Sequence, residues 1–597
     1  MKRIRTTARI LAAIVATTAV HWALRAQTEE KIETADHAPL YVYTINSGVM
    51  GKPMGTAESY DEVMAAETLQ GLINRDSPVL YVISTANPRT RYWLDLLRRD
   101  GRWLEAREIR EVKDLDALAA LAGPRLRGAV IWDPAVPATV NVATTIAGVC
   151  DGVVLSPELA DRFVKRWNLS VIRDLRGMFT GAETGSAKND AYRWAIREYL
   201  QRGLCSSRMI CLFQDSWNSR AAGDTTYVIP RDWAVKRRAF VFDLSPWDDE
   251  KPMDDPAQKL GTDLETYKAI LAETFVQSAG KHLTEMAGFF HFEKYSKTRE
   301  HESSHGDIAT EFRTQKIISP YNVYQNTLAA GCYNQSLHSQ APWQPHKQPR
   351  PEKKPALENK TYICIFMGDY DSVLPIYEFL PKFWDNPGRG KLPLTWGVNP
   401  NLIETYPDLL AYFFGTASAA DTFASDAGAA GYIHPSRIQK QYLPLFVEHN
   451  RHFFQQTDMT IAPMVIDVEQ PSEDVKNAYL QFAPDGFGTD VQPADYAPYV
   501  ADGFPASQWH VWKGMPVTQL TPGQDANVMA GALEKDGGRL PAFHLFRIVW
   551  ESPDYAMQTV AALRHKCPAA NVEAVDPYTF FTLFKQWKTA NAGQPGK

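Results

Sequence analysis

Five acidic residues in the C-terminal part of the chain each follow an apolar segment closely. They are Asp369, Asp371, Asp467, Glu469 and Glu551. Two carboxyl groups that flank a glycosidic bond can act as acid and base, or as acid and nucleophile. An aspartate at the end of a strand can also cap the next helix, which is a purely structural role. We predict Asp371 and Asp467 as a catalytic pair, with the other three as alternatives.

Aromatic, amide and basic residues occur at comparable places in the same part of the chain. We predict that the following residues bind a substrate: Trp396, Asn399, Tyr432, His434, His510 and Arg547. Aromatic rings can cover the apolar face of a sugar, and amide or imidazole groups can orient its hydroxyl groups. Arg547 could also pair with one of the carboxylates. The alternative is that the aromatic rings simply fill a core.

Residues His301 to His305 match the HExxH pattern of zinc proteases. That chemistry needs a helix, so that both histidines reach one zinc ion and the glutamate acts as base. Two serines inside the motif and the following Gly306 are poor helix formers. No third ligand is identifiable nearby, so we predict neither a metal nor another cofactor.

The hydrophobic pattern predicts the elements that must position these residues. The candidate strands after the linker are 362–367, 394–398, 422–425, 460–466, 509–512, 542–549 and 572–575, with helical stretches between several of them. This alternation is typical of parallel βαβ units and favours a TIM-like barrel, possibly incomplete. An open doubly wound sheet would give the same pattern. In a barrel, the carboxyl ends of the strands meet at one face, which would bring the acidic residues together.

The whole chain is predicted to be a multi-domain α/β protein. Residues 37–170 form an N-terminal α/β domain, and residues 171–340 form a second region, with two subdomains as one option. Five prolines between Pro342 and Pro355 predict an extended linker over residues 341–358. Residues 359–597 form the TIM-like domain.

Residues 1–26 have the pattern of a secretory signal peptide. A basic start at residues 2–5 precedes an apolar run over residues 10–24, and Ala26 offers a small residue for cleavage. An uncleaved anchor is the alternative, because Leu24 is not the small residue preferred before the cut. The mature chain is expected to be periplasmic or secreted. No other stretch approaches the ~20 apolar residues of a membrane helix, so no membrane partner is expected after cleavage.

The balance of charged residues argues against one class of function. With 63 basic and 69 acidic residues, the net charge is −6. A nucleic-acid-binding protein needs a basic surface to replace counterions, so this balance argues against that class.

Cys205 and Cys211 are close enough in sequence to form a disulfide, and Cys364 is predicted to be a buried thiol.

Several segments resemble the GxGYxYP family, whose members are described as glycoside hydrolases. Residues 429–435 look like the motif that names the family, and residues 369–372 are similar to its Asp-Gly-Asp-Asn segment. Residues 69–75, 305–322 and 575–581 resemble other family segments, so the resemblance spans nearly the whole mature chain. Ala429 and His434 replace a glycine and a tyrosine of the naming motif, and Tyr370 and Ser372 replace the glycine and asparagine. Asp369, Asp371, Gly431, Tyr432 and Pro435 are retained.

The residues and the resemblance together predict a glycoside hydrolase that acts on a poly- or oligosaccharide through paired carboxylates. A carbohydrate-binding protein without catalysis, using the same strand ends, is an alternative. A metal-dependent polysaccharide deacetylase would also place an aspartate after the first strand. It is less favoured because no HxxxH ligand pair follows the linker. The sequence predicts a carbohydrate partner but no particular sugar, linkage or oligomeric state.

Overall fold

The structure is a computed structural model, and it describes most of the chain from residue 38 onward. The described residues are 38–45, 55–222, 230–297, 303–327, 332–351, 354–467, 471–491, 495–500, 504–505, 509–512, 521–535 and 537–591. The predicted signal peptide lies outside these residues. None of the described helices is long and apolar enough to cross a membrane.

Two three-stranded parallel sheets lie in the first part of the chain, with orders β2-β1-β3 and β5-β4-β6. Their strands are β1 (Leu40–Ile45), β2 (Leu80–Ser84), β3 (Ile109–Val112), β4 (Gly128–Ile131), β5 (Gly152–Leu155) and β6 (Ser170–Asp174). Most of these strands are followed by a helix whose first turn is capped by a side chain. Asn87 and Ser156 are such caps, each followed by a proline at the first helical position.

The helices of the N-terminal part alternate with the strands, as in βαβ units. They are α1 (Ala57–Ile73), α2 (Pro88–Leu97), α3 (Leu115–Ala122), α4 (Thr139–Cys150), α5 (Pro157–Phe163), α6 (Ala187–Ala195), α7 (Ser219–Ala222), α8 (Arg231–Arg237), α9 (Thr262–Ser278), α10 (Phe292–Tyr295), α11 (Asp307–Ile318) and α12 (Gln335–His338).

A third parallel sheet has the order β10-β9-β7-β8. Its strands are β7 (Met209–Leu212), β8 (Phe240–Phe242), β9 (Thr284–Gly288) and β10 (Val323–Asn326). From β7 the chain first adds β8 on one side and then β9 on the other. This reversal creates a crevice at the carboxyl end of β7, which is the usual place for ligands in parallel α/β sheets.

The C-terminal part contains a curled parallel sheet, with the order β13-β12-β11-β19-β18 and β20 also paired to β11. A second sheet has the order β14-β15-β16-β17, and only its β14–β15 pair is parallel. The strands are β11 (Thr361–Tyr370), β12 (Leu394–Val398), β13 (Asp421–Ala424), β14 (Ile461–Asp467), β15 (Gly486–Val491), β16 (Asp495–Val500), β17 (Phe504–Pro505), β18 (Trp509–Trp512), β19 (Ala542–Val549) and β20 (Val572–Ala574).

The parallel sheet is curled into half a barrel, and the alternating strands and helices confirm the predicted α/β class. Among the described residues, no ladder joins β13 to β14. The helices around the two sheets are α13 (Leu380–Trp384), α14 (Pro407–Gly415), α15 (Leu443–Thr457), α16 (Glu473–Leu480), α17 (Pro522–Lys535), α18 (Pro553–Lys566) and α19 (Pro577–Asn591).

The central strand β11 is buried on both faces, as a parallel strand covered by helices should be. Ile363 and Ile365 pack into one hydrophobic cluster, whereas Cys364 and Phe366 pack into another on the opposite face. Cys364 is therefore the buried thiol that the sequence predicts. This double burial holds the end of β11, and the polar residues that follow it, in a fixed place.

Cys205 and Cys211, which are close enough in sequence to form a disulfide, do not form one in the structure. Cys211 packs with Met209 on one face of β7, whereas Cys205 belongs to the cluster that contains Ile210 from the other face. The two thiols therefore lie in different parts of the core.

The described residues of the proline-rich segment, 341–351 and 354–358, have no helix or strand but are docked on the C-terminal part. Gln348 is only 6% exposed. Its backbone N–H donates to Asp458 Oδ2 at 2.9 Å, and its side-chain oxygen accepts from the Phe423 N–H at 2.7 Å. The Arg350 guanidinium lies over the Tyr578 ring, 3.8 Å from its centre. The segment predicted as an extended linker therefore packs against the surface of the C-terminal part.

Candidate active site

The chain leaves β11 and β19 through residues with an unusual backbone. Asp369 has φ +66° and Trp550 has φ +51°. Left-handed backbone is costly for residues other than glycine, and such strain is often found at functional sites. The Trp550 indole N–H donates to the Asp369 carbonyl at 2.9 Å, which joins the two strand ends.

A cation from β19 holds two carboxylates at this edge of the sheet. The Arg547 guanidinium forms an ion pair with Asp369 and lies 3.6 Å from Asp426 Oδ1. Arg547 reaches them across Gly368 of β11, where any Cβ would overlap the arginine Nε. The Asp369 N–H also donates to Asp426 Oδ2 at 2.6 Å.

Asn399, which follows β12, fixes the loop that carries Asp426. Its side-chain oxygen accepts from the Asp426 N–H at 3.1 Å, and its amide N–H donates to the Ala427 carbonyl at 2.9 Å. Asp426 is fully buried. Burial raises the pKa of Asp426 to about 7; Arg547 opposes this rise and Asp369 adds to it.

Asp371 is the second acid of the strand-end turn, and it is 5% exposed. The Tyr432 hydroxyl donates to Asp371 Oδ2. Burial, with the nearby carboxylates of Asp426 and Asp369, raises the pKa of Asp371 well above its ordinary value, although Tyr432 and Arg547 oppose the rise. We call Asp369, Asp371, Asp426, Tyr432 and Arg547 the rim cluster. It contains a carboxyl that favours the protonated form beside one that is ion-paired.

The N-terminal part holds the loop that carries Tyr432. Gln325 in β10 and Tyr432 exchange backbone hydrogen bonds at 2.7 and 2.8 Å, as one antiparallel bridge. Ala429, at the position where the family motif has glycine, has φ +68°. The loop therefore has the backbone that a glycine would suit, even though this chain carries alanine there.

Gly431→Ala is expected to lower the free energy of unfolding by about 2–4 kcal/mol. Gly431 has φ +95°, and a Cβ would lie 2.5 Å from Tyr324 Cδ2. Gly531→Ala is the matched control, because nothing lies within 4 Å of that helical position; it should raise stability by up to about 1 kcal/mol. Urea unfolding measures both. Equal effects of the two variants would contradict the packing seen around Gly431.

The other predicted acids are not members of the rim cluster. Asp467 is fully buried at the end of β14, where it accepts from the Ser436 N–H at 2.9 Å and from the Ser436 hydroxyl. Glu551 is partly buried next to Trp550. Glu469 lies outside the described residues.

Of the predicted substrate-binding residues, Tyr432 and Arg547 belong to the rim cluster and Asn399 supports it. Trp396 is fully buried, and its indole N–H donates to Asp421 Oδ1 at 2.9 Å, so it packs in the core. His434 is also buried and packs against Phe312. Burial lowers the pKa of His434 to about 3. His510 lies in β18, and its side chain is outside the description.

The HExxH segment is only partly described, since His301 and Glu302 lie outside the described residues. His305 precedes helix α11 and stacks on the Trp247 ring at 3.3 Å between centres. Its Nε2 lies 2.9 Å from Asp249 Oδ1. This histidine is therefore in a bend rather than on a helix, which differs from the geometry that the zinc-protease motif needs.

Asp426 is the residue of the rim cluster that was not among the predicted site residues. It lies two residues beyond β13, at the same edge as Asp369 and Asp371. The signal in the sequence was its position after a predicted strand, next to a glycine-rich loop. Such a signal does not separate it from ordinary capping aspartates.

A separate cleft of about 390 Å³ lies behind the same loop, between β9, β10 and helix α15. Glu285 at its base is 5% exposed and accepts from Asn326 Nδ2 at 3.0 Å. Burial, with the neighbouring Glu404 carboxylate, raises the pKa of Glu285 from 4.5 to about 7.

Glu285→Gln is expected to stabilise the protein at alkaline pH. A carboxyl with a raised pKa in the folded state costs stability as pH rises from about 4.5 through 7, and glutamine removes that cost. The variant should be more stable by about 3 kcal/mol at pH 8 and unchanged at pH 4. Denaturant unfolding at both pH values measures this. A difference that does not change with pH would contradict it.

Three models of known families match parts of the chain. Family models match residues 359–585, described as a "GxGYxYP putative glycoside hydrolase C-terminal domain", and residues 42–120 and 126–203, described as the first and second GxGYxYP N-terminal domains. Together they cover more than half of the chain. The rim cluster lies within the C-terminal match.

A solved structure has a similar fold. It is described as "a putative hydrolase from Bacteroides thetaiotaomicron VPI-5482", with a TM-score of 0.66 and 15% sequence identity. The similarity covers 92% of this chain and 95% of that one. No curated protein matches the chain. From the matched domains we conclude that the chain belongs to the GxGYxYP family, as its sequence motifs predict.

Proposed function

We propose that the protein hydrolyses glycosidic bonds of a poly- or oligosaccharide at the rim cluster. The observation that carries this proposal is the pair Asp371 and Asp369. Asp371 is buried against the Tyr432 hydroxyl, whereas the Asp369 side chain is 28% exposed and paired with Arg547. Two carboxyls in such different environments can divide the acid and base roles of a glycosidase.

In this proposal Asp371 is the general acid that protonates the leaving oxygen. Its raised pKa keeps a proton available near the reacting bond. Asp369 is the carboxylate that activates water or attacks the sugar, and it forms an ion pair with Arg547. The partly buried Trp550 ring beside Asp369 would cover an apolar sugar face.

Asp467 was the predicted partner of Asp371, and we now favour Asp369 for that role. Both oxygens of Asp467 accept hydrogen bonds from Ser436, and its side chain is fully buried. A carboxylate satisfied in this way by a neighbouring loop is typical of a structural role. Asp369 is the more exposed acid and lies next to the raised-pKa group.

The proposal is tested by incubating the mature protein with a panel of polysaccharides and aryl glycosides. We expect release of reducing sugar or phenol from at least one substrate, with a rate that falls at high pH as Asp371 loses its proton. Binding of sugars without any hydrolysis would instead support the carbohydrate-binding alternative. If the panel shows neither hydrolysis nor binding, the hydrolase proposal and the carbohydrate-binding alternative are both contradicted.

We also propose that the protein is exported, because the basic and apolar N-terminal pattern suits a signal peptide. The protein recovered from the periplasm or medium of its host should begin near Gln27. N-terminal sequencing measures this. Protein that stays in the cytoplasm with its first residue intact would contradict export.

A further inference from the structure

Two buried lysines lie at the carboxyl end of the third N-terminal sheet. The Lys294 side chain is 0% exposed and that of Lys188 is 6% exposed. They lie beside acidic residues from the segments that follow β7 and β8, at the crevice created by the reversal of strand order. Burying an ammonium group costs free energy unless carboxylates compensate its charge. A buried network of charged groups in a crevice is therefore a candidate functional site.

Lys294 is surrounded by three carboxylates. Its Nζ donates to Asp215 Oδ1 at 2.7 Å and to Asp243 Oδ2 at 2.8 Å, and it lies 3.1 Å from Asp254 Oδ2. The Trp217 ring centre is 5.7 Å from the same nitrogen. The ammonium group is thus fixed in position by charge and by an aromatic wall.

Lys188 continues the network on the other side of Asp254. Its Nζ donates to Asp254 Oδ1 at 2.9 Å and to Asp263 Oδ2 at 2.7 Å. Asn189 Nδ2 donates to the remaining Asp263 oxygen at 2.8 Å. Each lysine therefore has its partners, and Asp254 is shared by both.

The acids outnumber the bases in this network. Four aspartates share two ammonium groups, and all four are at least nine-tenths buried. Asp215 Oδ2 and Asp243 Oδ1 accept no hydrogen bond from any residue in the described part of the chain. Buried carboxylate oxygens without donors are costly, so a donor with positive charge would complete the site.

A cavity of about 160 Å³ opens on this network. Its charged lining residues are Lys188, Asp215, Asp254 and Asp255, and its apolar lining residues are Ala135, Val136, Pro137, Ala138 and Ala187. Ala135 is exposed and marks the mouth. The cavity thus combines a negatively charged lining with apolar groups that suit carbon atoms.

We infer that this cavity binds a small ligand that carries a protonated primary amine. The ammonium group would donate to Asp215 Oδ2 and balance the excess of carboxylates, while the carbon skeleton would contact Val136 and Pro137. A hydroxyl could donate one hydrogen bond but would leave the charge unbalanced, and an anion would be repelled. No rim-cluster residue lines this cavity, so the proposed amine site is independent of the proposed hydrolase activity.

Calorimetric titration of the full mature protein at pH 6 and constant ionic strength tests this inference. The probes are ethylamine with ethanol as its neutral match, and glucosamine with glucose as its neutral match. At least one amine should bind about tenfold or more tightly than its match, since a hydrogen bond to a charged group is worth at least that factor.

Two variants locate the binding. Asp215→Asn keeps the shape of the side chain but removes the charge, and it should weaken amine binding by at least about tenfold. Ala135→Trp fills the mouth from an exposed position and should block binding without touching the charged network. Circular dichroism confirms that each variant is folded. Asp371→Asn, in the rim cluster, should leave amine affinity unchanged.

Several outcomes would overturn the inference. They are equal affinity for an amine and its neutral match, no binding of either amine, and binding that survives both Asp215→Asn and Ala135→Trp. Loss of amine binding in Asp371→Asn would assign the amine to the rim cluster instead. Because none of these measurements uses hydrolysis, a failure here leaves the proposed hydrolase activity to its own test.

Discussion

Asparagine in place of Asp371 is expected to lower turnover of a responsive glycoside by at least about a hundredfold. The change removes the proton that the leaving oxygen needs, yet the amide oxygen can still accept from the Tyr432 hydroxyl. The fold should therefore stay intact. Steady-state kinetics measure the loss, and thermal unfolding checks the structure.

Asp369→Asn and Asp467→Asn complete this comparison. We expect Asp369→Asn to cost at least about a hundredfold as well, because it removes the second carboxylate. Asp467→Asn should reduce turnover much less, since its oxygens are engaged by Ser436. A large loss for Asp467 with near-normal turnover for Asp369 would restore the pair predicted from sequence and contradict ours.

Arg547→Met is expected to lower the free energy of unfolding by about 3–5 kcal/mol, because it leaves buried carboxylates without their cation. Asp426, with a pKa of about 7 even beside Arg547, would become still harder to ionise. Since the raised pKa costs stability as pH rises, the deficit should be larger at pH 8 than at pH 5. Chemical denaturation at both pH values measures it.

Arg202→Met is the matched control for this experiment. Arg202 is 62% exposed and pairs with Glu198 four residues earlier at 3.3 Å. Exposed pairs of this kind are worth little, so the change should stay within about 0.5 kcal/mol. Similar losses for the two variants would mean that Arg547 contributes no more than a surface arginine.

The alternation of strands and helices was predictable because each element has its own local pattern of apolar and polar residues. The predicted strands 394–398 and 542–549 coincide with β12 and β19. The antiparallel strands β15 and β16 were not predicted, because they contain glycine, aspartate and proline, which are rare in strands. The docking of Gln348 was missed because proline spacing reports only backbone shape, while its partners Asp458 and Phe423 lie far along the chain.

The sequence also indicated part of the candidate site. The residues at the carboxyl ends of β11 and β19 could be assigned to one edge as soon as a parallel sheet was inferred, and the structure brings Asp369 and Arg547 together there. Asp426 could not be selected, because its approach depends on the loop conformation that Asn399 fixes. Trp396 was wrongly assigned to the substrate site. The sequence pattern of an aromatic residue in a buried strand is the same whether its ring packs in the core or binds a substrate.

The bridge between Gln325 and Tyr432 has a consequence for dissecting the protein. A fragment that begins at residue 359 would include the whole rim cluster but would lack β10, and with it the two backbone hydrogen bonds that hold Tyr432. Tyr324, which fills the space above Gly431, would also be missing. Sequence modules and working units therefore do not coincide here: the shortest piece able to keep this tyrosine against Asp371 must extend back through the third sheet.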